Sequence, residues 1–243
     1  MKSDSFISLT VLLPIINETE SLIKTINTIE TENANKIEQY LLICHPSKTQ
    51  HDSIQICNDF VSKDPLKYKV IYQKLPLLGG AIRDGFKHVF TSHCLMMSSD
   101  LETDPQSVNI MIKLISKSPQ SIITATRWTR NNDFNNYGFI KKNLNYIFQK
   151  LFSFIYKTNL SDLTFGYRLF PTQIIKIINW EMYDHSFLFE TIIKPLKMKI
   201  NIIEVSSPWN KRIEGVSSNM TLNYIKYFYI GFKTIFYNKD KNG

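Results

Sequence analysis

Ile7-Ser8-Leu9-Thr10-Val11-Leu12-Leu13-Pro14 reads as a β-strand with no polar face. Neither side of such a run can meet water, so it suits the interior of a parallel sheet covered on both faces. The residues that follow change period. In Glu18–Glu32, Leu22, Ile26 and Ile29 recur at helical spacing. Strand and helix then alternate: a strand at Tyr40–Cys44, a helix over Ser53–Val61, a strand at Tyr68–Tyr72 and a helix over Gly79–Phe90. Leu95–Ser98 is a further strand, Val108–Ile115 a helix and Ser121–Thr126 a fifth strand. This rhythm predicts βαβ units: an α/β fold with a Rossmann-like, mostly parallel sheet and helices on both faces.

After residue 127 the rhythm changes. Asn131–Asn136 is a polar loop, and Phe139–Tyr156 is a long amphipathic helix rich in aromatics. Asp162–Phe170 follows, then helices near Gln173–Ile178 and Phe187–Lys197 and a strand at Ile200–Val205. A final helix, Leu222–Phe236, places Leu222, Ile225, Tyr229, Phe232 and Phe236 on one face. With no internal repeat and no low-complexity linker, the expectation is one α/β domain over residues 1–218 and an amphipathic helix with a polar tail over 219–243.

Composition narrows the function classes. The chain has 243 residues, 43% apolar and 13% aromatic, which supports a sizeable core and excludes general disorder. Its net charge of +8 is uneven. Residues 1–126 carry 12 Lys or Arg against 13 Asp or Glu, whereas 127–243 carry 17 against 8. A basic second half implies an anionic partner: nucleic acid, a membrane surface or a phosphorylated substrate. Cys44, Cys57 and Cys94 form no CxxC and no disulfide framework, which points to a reducing compartment. Phe6–Ile16 is followed by Asn17-Glu18-Thr19-Glu20 rather than a small-residue cleavage site, so it does not read as a signal peptide. No run approaches the roughly 18–20 apolar residues of a membrane span. HExxH and GxSxG are absent, which argues against zinc-hydrolase and α/β-hydrolase chemistry.

In open α/β sheets, ligands bind beyond the carboxyl ends of the strands. The polar residues at those ends are Pro14, Asn17 and Glu18; His45 and Ser47; Ser98, Asp100 and Glu102; and Arg127. Ser98, Asp100 and Glu102 alternate, so in an extended segment they share a face. Two carboxylates and a hydroxyl can hold a hard divalent cation that grips a diphosphate. Asp104-Pro105 reads instead as a helix start, with Asp104 as the cap. Gly79-Gly80 would allow a backbone to approach a ligand at a helix start. Arg127, Arg130, Lys141, Lys142, Arg168, Lys211 and Arg212 are the cations that could converge on a phosphate.

Taken in order, these segments resemble family-2 glycosyltransferases with a GT-A fold, and among them the dolichyl- or polyprenyl-phosphate mannose or glucose synthases. Val11-Leu12-Leu13-Pro14…Asn17-Glu18 is similar to that family's opening, and Leu78-Gly79-Gly80-Ala81…Gly85 to its glycine-containing helix start. Ser98–Pro105 resembles its DxD-type loop, and Asp162-Leu163-Thr164-Phe165-Gly166-Tyr167-Arg168 its D-x-T-x-G-F-R segment. Trp209-Asn210-Lys211-Arg212…Gly215-Val216-Ser217-Ser218 resembles the closing R-x-x-G-x-S. Two departures stand out: His45 lies where the family has paired aspartates, and Ser98 replaces the first Asp of the DxD-type loop.

The resemblance implies inverting transfer of a hexose from a nucleotide-sugar to an acceptor, with polyprenyl phosphate first. A glycan hydroxyl acceptor, or a nucleotide-sugar-binding relative that has lost catalysis, are the alternatives. It implies Mg²⁺ or Mn²⁺ at Asp100 and Glu102. Nucleotide-sugar contacts would come from Pro14, Asn17, Glu18, His45, Ser47, Gly79, Gly80, Ser98 and Asp100. Arg127, Lys141, Asn145 and Arg212 would hold the acceptor phosphate. Asp100, Asp162 and Arg168 would be the catalytic group, Asp162 orienting Arg168 or the sugar, or acting as base toward a hydroxyl. The basic, aromatic helices, with Lys226, Lys233, Lys239 and Lys241, suit an enzyme peripheral to the cytoplasmic face of a membrane, alone or with a membrane subunit. Because the basic residues fall at motif positions, nucleic acid is not the expected partner.

Overall fold

β1 (Leu9–Ile15) is buried on both faces, as an apolar strand must be. A computed structural model of the protein describes residues 7–128, 139–210, 214 and 224–237, apart from the side chains of 139–141 and 224. β1 sits within a seven-stranded sheet with β2 (Ile37–Cys44), β3 (Tyr68–Tyr72), β4 (His93–Met96), β5 (Ile122–Thr126), β6 (Arg168–Pro171) and β7 (Ile202–Ser206). The strand order is β3-β2-β1-β4-β6-β5-β7. Every pairing is parallel except those of β6, which runs antiparallel to β4 and to β5. The chain leaves β1 toward β2 on one side and reaches β4 on the other, so β1 and β4 flank the switch point where α/β sheets bind ligands.

Helices cover both faces. α1 (Glu20–Asn33), α2 (His51–Lys63) and α4 (Ser107–Lys117) pack on one face against Leu9, Val11, Leu13 and Ile15. Leu12, pointing the other way, meets α3 (Leu77–Lys87), α6 (Thr172–Ile177) and α7 (Ser186–Lys197). The period-2 alternation of the strand thus feeds two separate cores. The α/β expectation holds, with helices on both faces. β6 is the element the pattern did not assign: its four residues overlap the end of Asp162–Phe170, run one residue past it, and wedge between β4 and β5.

α5 (Phe139–Ile155) and α8 (Tyr224–Lys233) build a third core with α7, made of Phe148, Phe152, Phe189, Ile192, Ile193 and Ile230. A 3-10 turn, Thr234–Phe236, extends α8. Ile225, Tyr229, Phe232 and Phe236 share a face, as their spacing requires, but that face is turned to solvent. The inward residues are Tyr227, Ile230, Gly231 and Thr234. Leu222 lies outside the described residues, as do Asn131–Asn136, Lys239 and Lys241.

Polar contacts seat α8. Tyr156 Oη donates to the Gly231 carbonyl at 2.7 Å, and Lys226 Nζ lies 2.6 Å from Asp184 Oδ2. Lys233 pairs with Glu181, which also meets the buried Lys194 at 2.9 Å. Lys194 lies 2.6 Å from the equally buried Glu190, a pairing that burial of a charge demands. Among the described residues, no helix is long and apolar enough to cross a membrane. All three cysteines are buried and free.

Gly231 permits the close approach of α8 to α5. A Cβ there would stand 2.3 Å from Phe152 Cε1. Phe152 is fully buried and ringed by other aromatics, so it has no room to move. Gly231→Ala is expected to cost about 1–3 kcal/mol from overpacking, more than the roughly 1 kcal/mol gained in helix propensity. Denaturant unfolding reads the difference; an unchanged or raised midpoint would show that α8 does not seat on Phe152.

Candidate active site

The ends of β1 and β4 are tied together. Ser99 Oγ donates to the Pro14 carbonyl at 3.0 Å. Beyond β4 the chain makes a tight acidic loop in which Leu101 adopts φ 63°. A non-glycine residue is costly there and persists only where its surroundings fix it. The fixing contacts are visible: Thr103 Oγ1 donates to the Ser98 carbonyl at 3.1 Å, and the Glu102 amide to Asp100 Oδ1 at 3.0 Å. The chain after β7 adds to them, with a bridge from Trp209 to Thr103 and the Asn210 amide on the Glu102 carbonyl at 3.2 Å. Asp104 accepts from the Gln106 amide and Ser107 Oγ, both at 3.1 Å, in the turn that leads into α4, whose cap position is Gln106 rather than the expected Asp104. Glu18 accepts the amides of Ile16 at 2.7 Å and Asn17 at 3.0 Å, which folds the turn after β1.

The end of β5 carries a cation. Arg127 Nε donates to Asp162 Oδ2 at 2.7 Å and Nη2 to Oδ1 at 3.0 Å, a two-point pairing. Nη2 also reaches Thr164 Oγ1 at 3.0 Å, and the guanidinium lies 5.0 Å from the Phe165 ring centre. Asp162 is fully buried. Burial alone would raise its pKa, but the Arg127 charge and hydrogen bonds outweigh burial and hold the carboxyl below its ordinary value. Gln149 of α5 joins this group: Nε2 donates to Asn145 Oδ1 at 2.9 Å and Thr164 Oγ1 at 2.9 Å, and Oε1 accepts the Leu163 amide at 2.8 Å. From β7, the Glu204 carboxylate takes the amides of Ser161 and Asp162, at 2.9 and 3.1 Å.

The ends of β1, β4 and β5 meet in one cavity of about 370 Å³ at the carboxyl edge of the sheet, while the fully buried Asp162 holds Arg127 from outside its lining. Pro14, Glu18, Ser98, Asp100 and Glu102 line it from β1 and β4, and Arg127 from β5. Asn145 and Phe148 of α5, Leu188 of α7, Trp209 and Tyr227 of α8 complete a largely apolar remainder. Asp100 and Glu102 supply two hard oxygen donors on the same wall, the kind of set Mg²⁺ and Mn²⁺ accept. No cluster of three or more His, Cys, Asp or Glu occurs among the described residues, so a cation there would draw further ligands from diphosphate or water.

Other sequence candidates are placed elsewhere. Arg168 is fully buried in β6, its Nε on Thr124 Oγ1 at 3.1 Å and its Nη2 on the Leu163 carbonyl at 3.1 Å. Its Nη1 meets the Leu188 carbonyl and Thr191 Oγ1. Burial draws its pKa down to about 9, which leaves it charged at neutral pH. The hydrogen-bonded partner of Asp162 is thus Arg127 rather than Arg168. Gly79 and Gly80 are closely packed and are not among the cavity-lining residues. A Cβ on Gly79 would sit 2.8 Å from the Tyr183 carbonyl carbon and one on Gly80 2.6 Å from that of Leu75. His45 Nδ1 accepts the amides of Ser47 at 3.1 Å and Lys48 at 3.2 Å, which stabilises its own turn. His45, Ser47 and Asn17 are outside the cavity lining. Arg130, Lys211, Arg212 and the Lys141 side chain lie outside the described residues.

Residues 10–178 match the model of the family described as glycosyl transferase family 2. The chain belongs to that family. It is a glycosyltransferase. Its fold is similar to that of glucosyl-3-phosphoglycerate synthase from Mycobacterium tuberculosis in complex with Mn²⁺, UDP and phosphoglyceric acid. The TM-score is 0.74 at 10% identity, covering 95% of this chain and 79% of the other. The same synthase with Mn²⁺, UDP-glucose and phosphoglyceric acid matches with a TM-score of 0.72 at 11% identity, over 94% and 79% of the two chains. Its complex with Mg²⁺ and UDP matches with 0.72 at 10%, over the same shares.

Glu214 and Gln149 of this family-2 glycosyltransferase are not among the candidates read from sequence. Glu214 caps α1: its carboxylate accepts the amides of Thr19 at 2.9 Å and Ser21 at 3.1 Å, and both their hydroxyls at 2.6 Å. Thr19, the residue at the cap position, makes no side-chain cap of its own. Glu214 lies next to the closing motif, but nothing in the local sequence points 195 residues back. Gln149 had a readable signal, being a polar residue between Phe148 and Phe152 on the inward side of α5.

Two outcomes follow. Asp162→Ala would remove the carboxylate that pairs the Arg127 guanidinium in a buried site, at a cost of about 3–5 kcal/mol; equilibrium unfolding measures it, and a loss below about 1 kcal/mol would contradict the pairing. For Glu214, burial favours protonation, but the hydrogen bonds from Ser21 and Thr19 together outweigh it and lower its pKa to about 2 from 4.5. Its stabilising effect is therefore complete above pH 4.5 and drains away as pH falls toward 2. Glu214→Gln should remove that part of the melting-temperature drop on acidification, while an identical drop in both proteins would exclude the cap.

Proposed function

We propose that this glycosyltransferase moves a hexose, with inversion, from a uridine-diphosphate sugar to a phosphate-bearing acceptor, and that the acceptor is a polyprenyl phosphate. The observation that carries the reading is the single cavity into which β1 and β4 bring carboxylates and β5 brings an arginine braced by Asp162. A donor diphosphate and an acceptor phosphate are both anions, and joining them requires that both be neutralised and held in line. The ligands named for the structurally similar synthase, UDP-glucose with Mn²⁺ and phosphoglyceric acid, are likewise a nucleotide-sugar and a phosphorylated acceptor. The apolar remainder of the cavity, from Phe148, Leu188, Trp209 and Tyr227, favours an acceptor with a hydrocarbon chain over one as small and polar as phosphoglycerate.

In this reading an acceptor phosphate oxygen attacks the anomeric carbon from the face opposite the diphosphate. The bond to the diphosphate oxygen breaks, and its electron pair departs with the nucleoside diphosphate. A phosphate monoester has its second pKa near 6, so it attacks as an anion and no side chain need take a proton. That agrees with Asp162, whose carboxylate is committed to Arg127 and to backbone amides. Asp162 acts as a positioning residue that keeps the Arg127 fork aimed as one piece. Asp100 and Glu102 would hold Mg²⁺ or Mn²⁺, which supplies positive charge against the leaving diphosphate when bound. Glu18 shapes the turn after β1 on the donor side.

The deciding experiment offers UDP-glucose and other nucleotide-sugars, with and without Mn²⁺, and then a short-chain polyprenyl phosphate or phosphoglycerate as acceptor. Transfer to the polyprenyl phosphate alone is expected. Asp100→Asn should cut turnover by about 100-fold or more and abolish Mn²⁺-dependent donor stabilisation in a thermal shift. Arg127→Lys keeps the charge but loses the fork, so it should raise KM for the acceptor more than for the donor. Preference for phosphoglycerate would overturn the lipid acceptor. Donor binding without transfer to any acceptor would favour a relative that has lost catalysis.

A further inference from the structure

α5 has two apolar faces. Phe148 and Phe152 point inward, into rings from α7 and α8. Leu144, Ile147, Leu151 and Phe154 recur at spacings of three and four and point outward, with Ile147 62% and Phe154 82% exposed. α8 and its 3-10 turn repeat the pattern: Ile225, Phe228, Tyr229, Phe232 and Phe236 form an outer stripe, with Ile225 76% and Phe236 87% exposed. The rings of Phe228 and Phe232 touch Phe152 of α5, so the two stripes meet at the seam between the helices. Among the described residues, 10 of the 18 exposed large apolar side chains belong to these two helices and the turn. That concentration marks an interaction surface rather than ordinary scatter.

The charge around this surface selects the partner. Among the described side chains, 142–160 contain three Lys and no Asp or Glu, and 225–237 contain two Lys and no acid. Lys150 is exposed on the outer side of α5, near the Tyr146 ring. Lys226 and Lys233 are ion-paired inward to Asp184 and Glu181, yet about half of each side chain remains exposed. Lysines flanking aromatic and branched aliphatic side chains on helices that carry no acid of their own match the headgroup zone of an anionic bilayer, where stems lie in the acyl boundary and ammonium groups reach phosphates.

We propose that the α5–α8 face docks on the surface of an anionic lipid bilayer. The same two helices supply Asn145, Phe148 and Tyr227 to the cavity wall. Docking therefore brings the acceptor side of the site against the lipid, where a phosphate on a hydrocarbon chain resides; this last step rests on the proposed acceptor, but the docking itself does not.

The test uses the full chain and vesicles of phosphatidylcholine with or without phosphatidylglycerol. The protein should co-sediment with the anionic vesicles and release at high salt. The triple variant Ile147→Ser/Phe154→Ser/Ile225→Ser, changed only at exposed sites, should bind on the order of tenfold less or weaker. Lys150→Glu alone should lower binding several-fold. Absence of binding to anionic vesicles would overturn the proposal, as would equal binding by the variants. So would a wild-type dimer by light scattering that the triple variant converts to monomer, since a second copy would then cover this face. Transfer to a soluble short-chain acceptor separates the two readings. If the triple variant keeps that activity and loses vesicle binding, docking stands apart from chemistry. Vesicle binding by wild type without any transfer to a phosphate would sink the acceptor reading and leave docking intact.

Discussion

Asp162 and Arg127 form a buried two-point ion pair, and four parts of the chain take their positions from it. Arg127 fixes the end of β5, Gln149 brings in α5, the amides of Thr164 and Phe165 wrap the loop before β6, and Glu204 of β7 holds that loop from below. Two charges removed from water cost several kcal/mol each unless they find one another with good geometry and their remaining hydrogen-bonding capacity is met. Here that condition is met by groups from distant elements, so the ion pair can exist only when β5, α5 and β7 are already in place. The pairing specifies their arrangement as much as it stabilises it.

The antiparallel β6 explains why the loop bearing Asp162 is at the site at all. In a parallel sheet the residues before a strand lie at the edge away from the ligands. Because β6 runs the other way between β4 and β5, its preceding residues, 162–167, arrive where its neighbours end. Arg168 secures the reversal. Its guanidinium, without exposure, joins β6 to Thr124 of β5 and to the first turns of α7. An arginine that reads as a catalytic candidate is thus a spacer within the sheet, and the arginine at the end of the adjacent strand lines the cavity.

Much of this was legible in the sequence because it rests on local periodicity. The apolar run of β1, the Leu22/Ile26/Ile29 spacing of α1 and the acidic loop after β4 each declare themselves within a few residues. β6 did not, since four residues carry too little pattern to signal strand or direction. Gly79-Gly80 was legible as a need for small residues, but not as to what packs there: Phe187 and the 183–184 backbone against Gly79, and Leu75 against Gly80. The partner of Asp162 was equally hidden. Both Arg127 and Arg168 carry the right chemistry, and only tertiary placement chooses between them. The outer stripe of α8 shows the same limit, because spacing assigns Ile225, Tyr229 and Phe232 to one face but says nothing of which way that face turns.

The cap on α1 concerns time as well as space. The helix that follows the first strand has its terminal amides satisfied by a carboxylate 195 residues further along. At synthesis rates of about 5–20 residues per second, that partner emerges from the ribosome roughly 10–40 s after the helix it completes. During this interval the turn carrying Glu18 is joined to a helix whose first amides lack that carboxylate. The β1 side of the cavity, though translated first, is therefore among the last parts of the molecule to be finished.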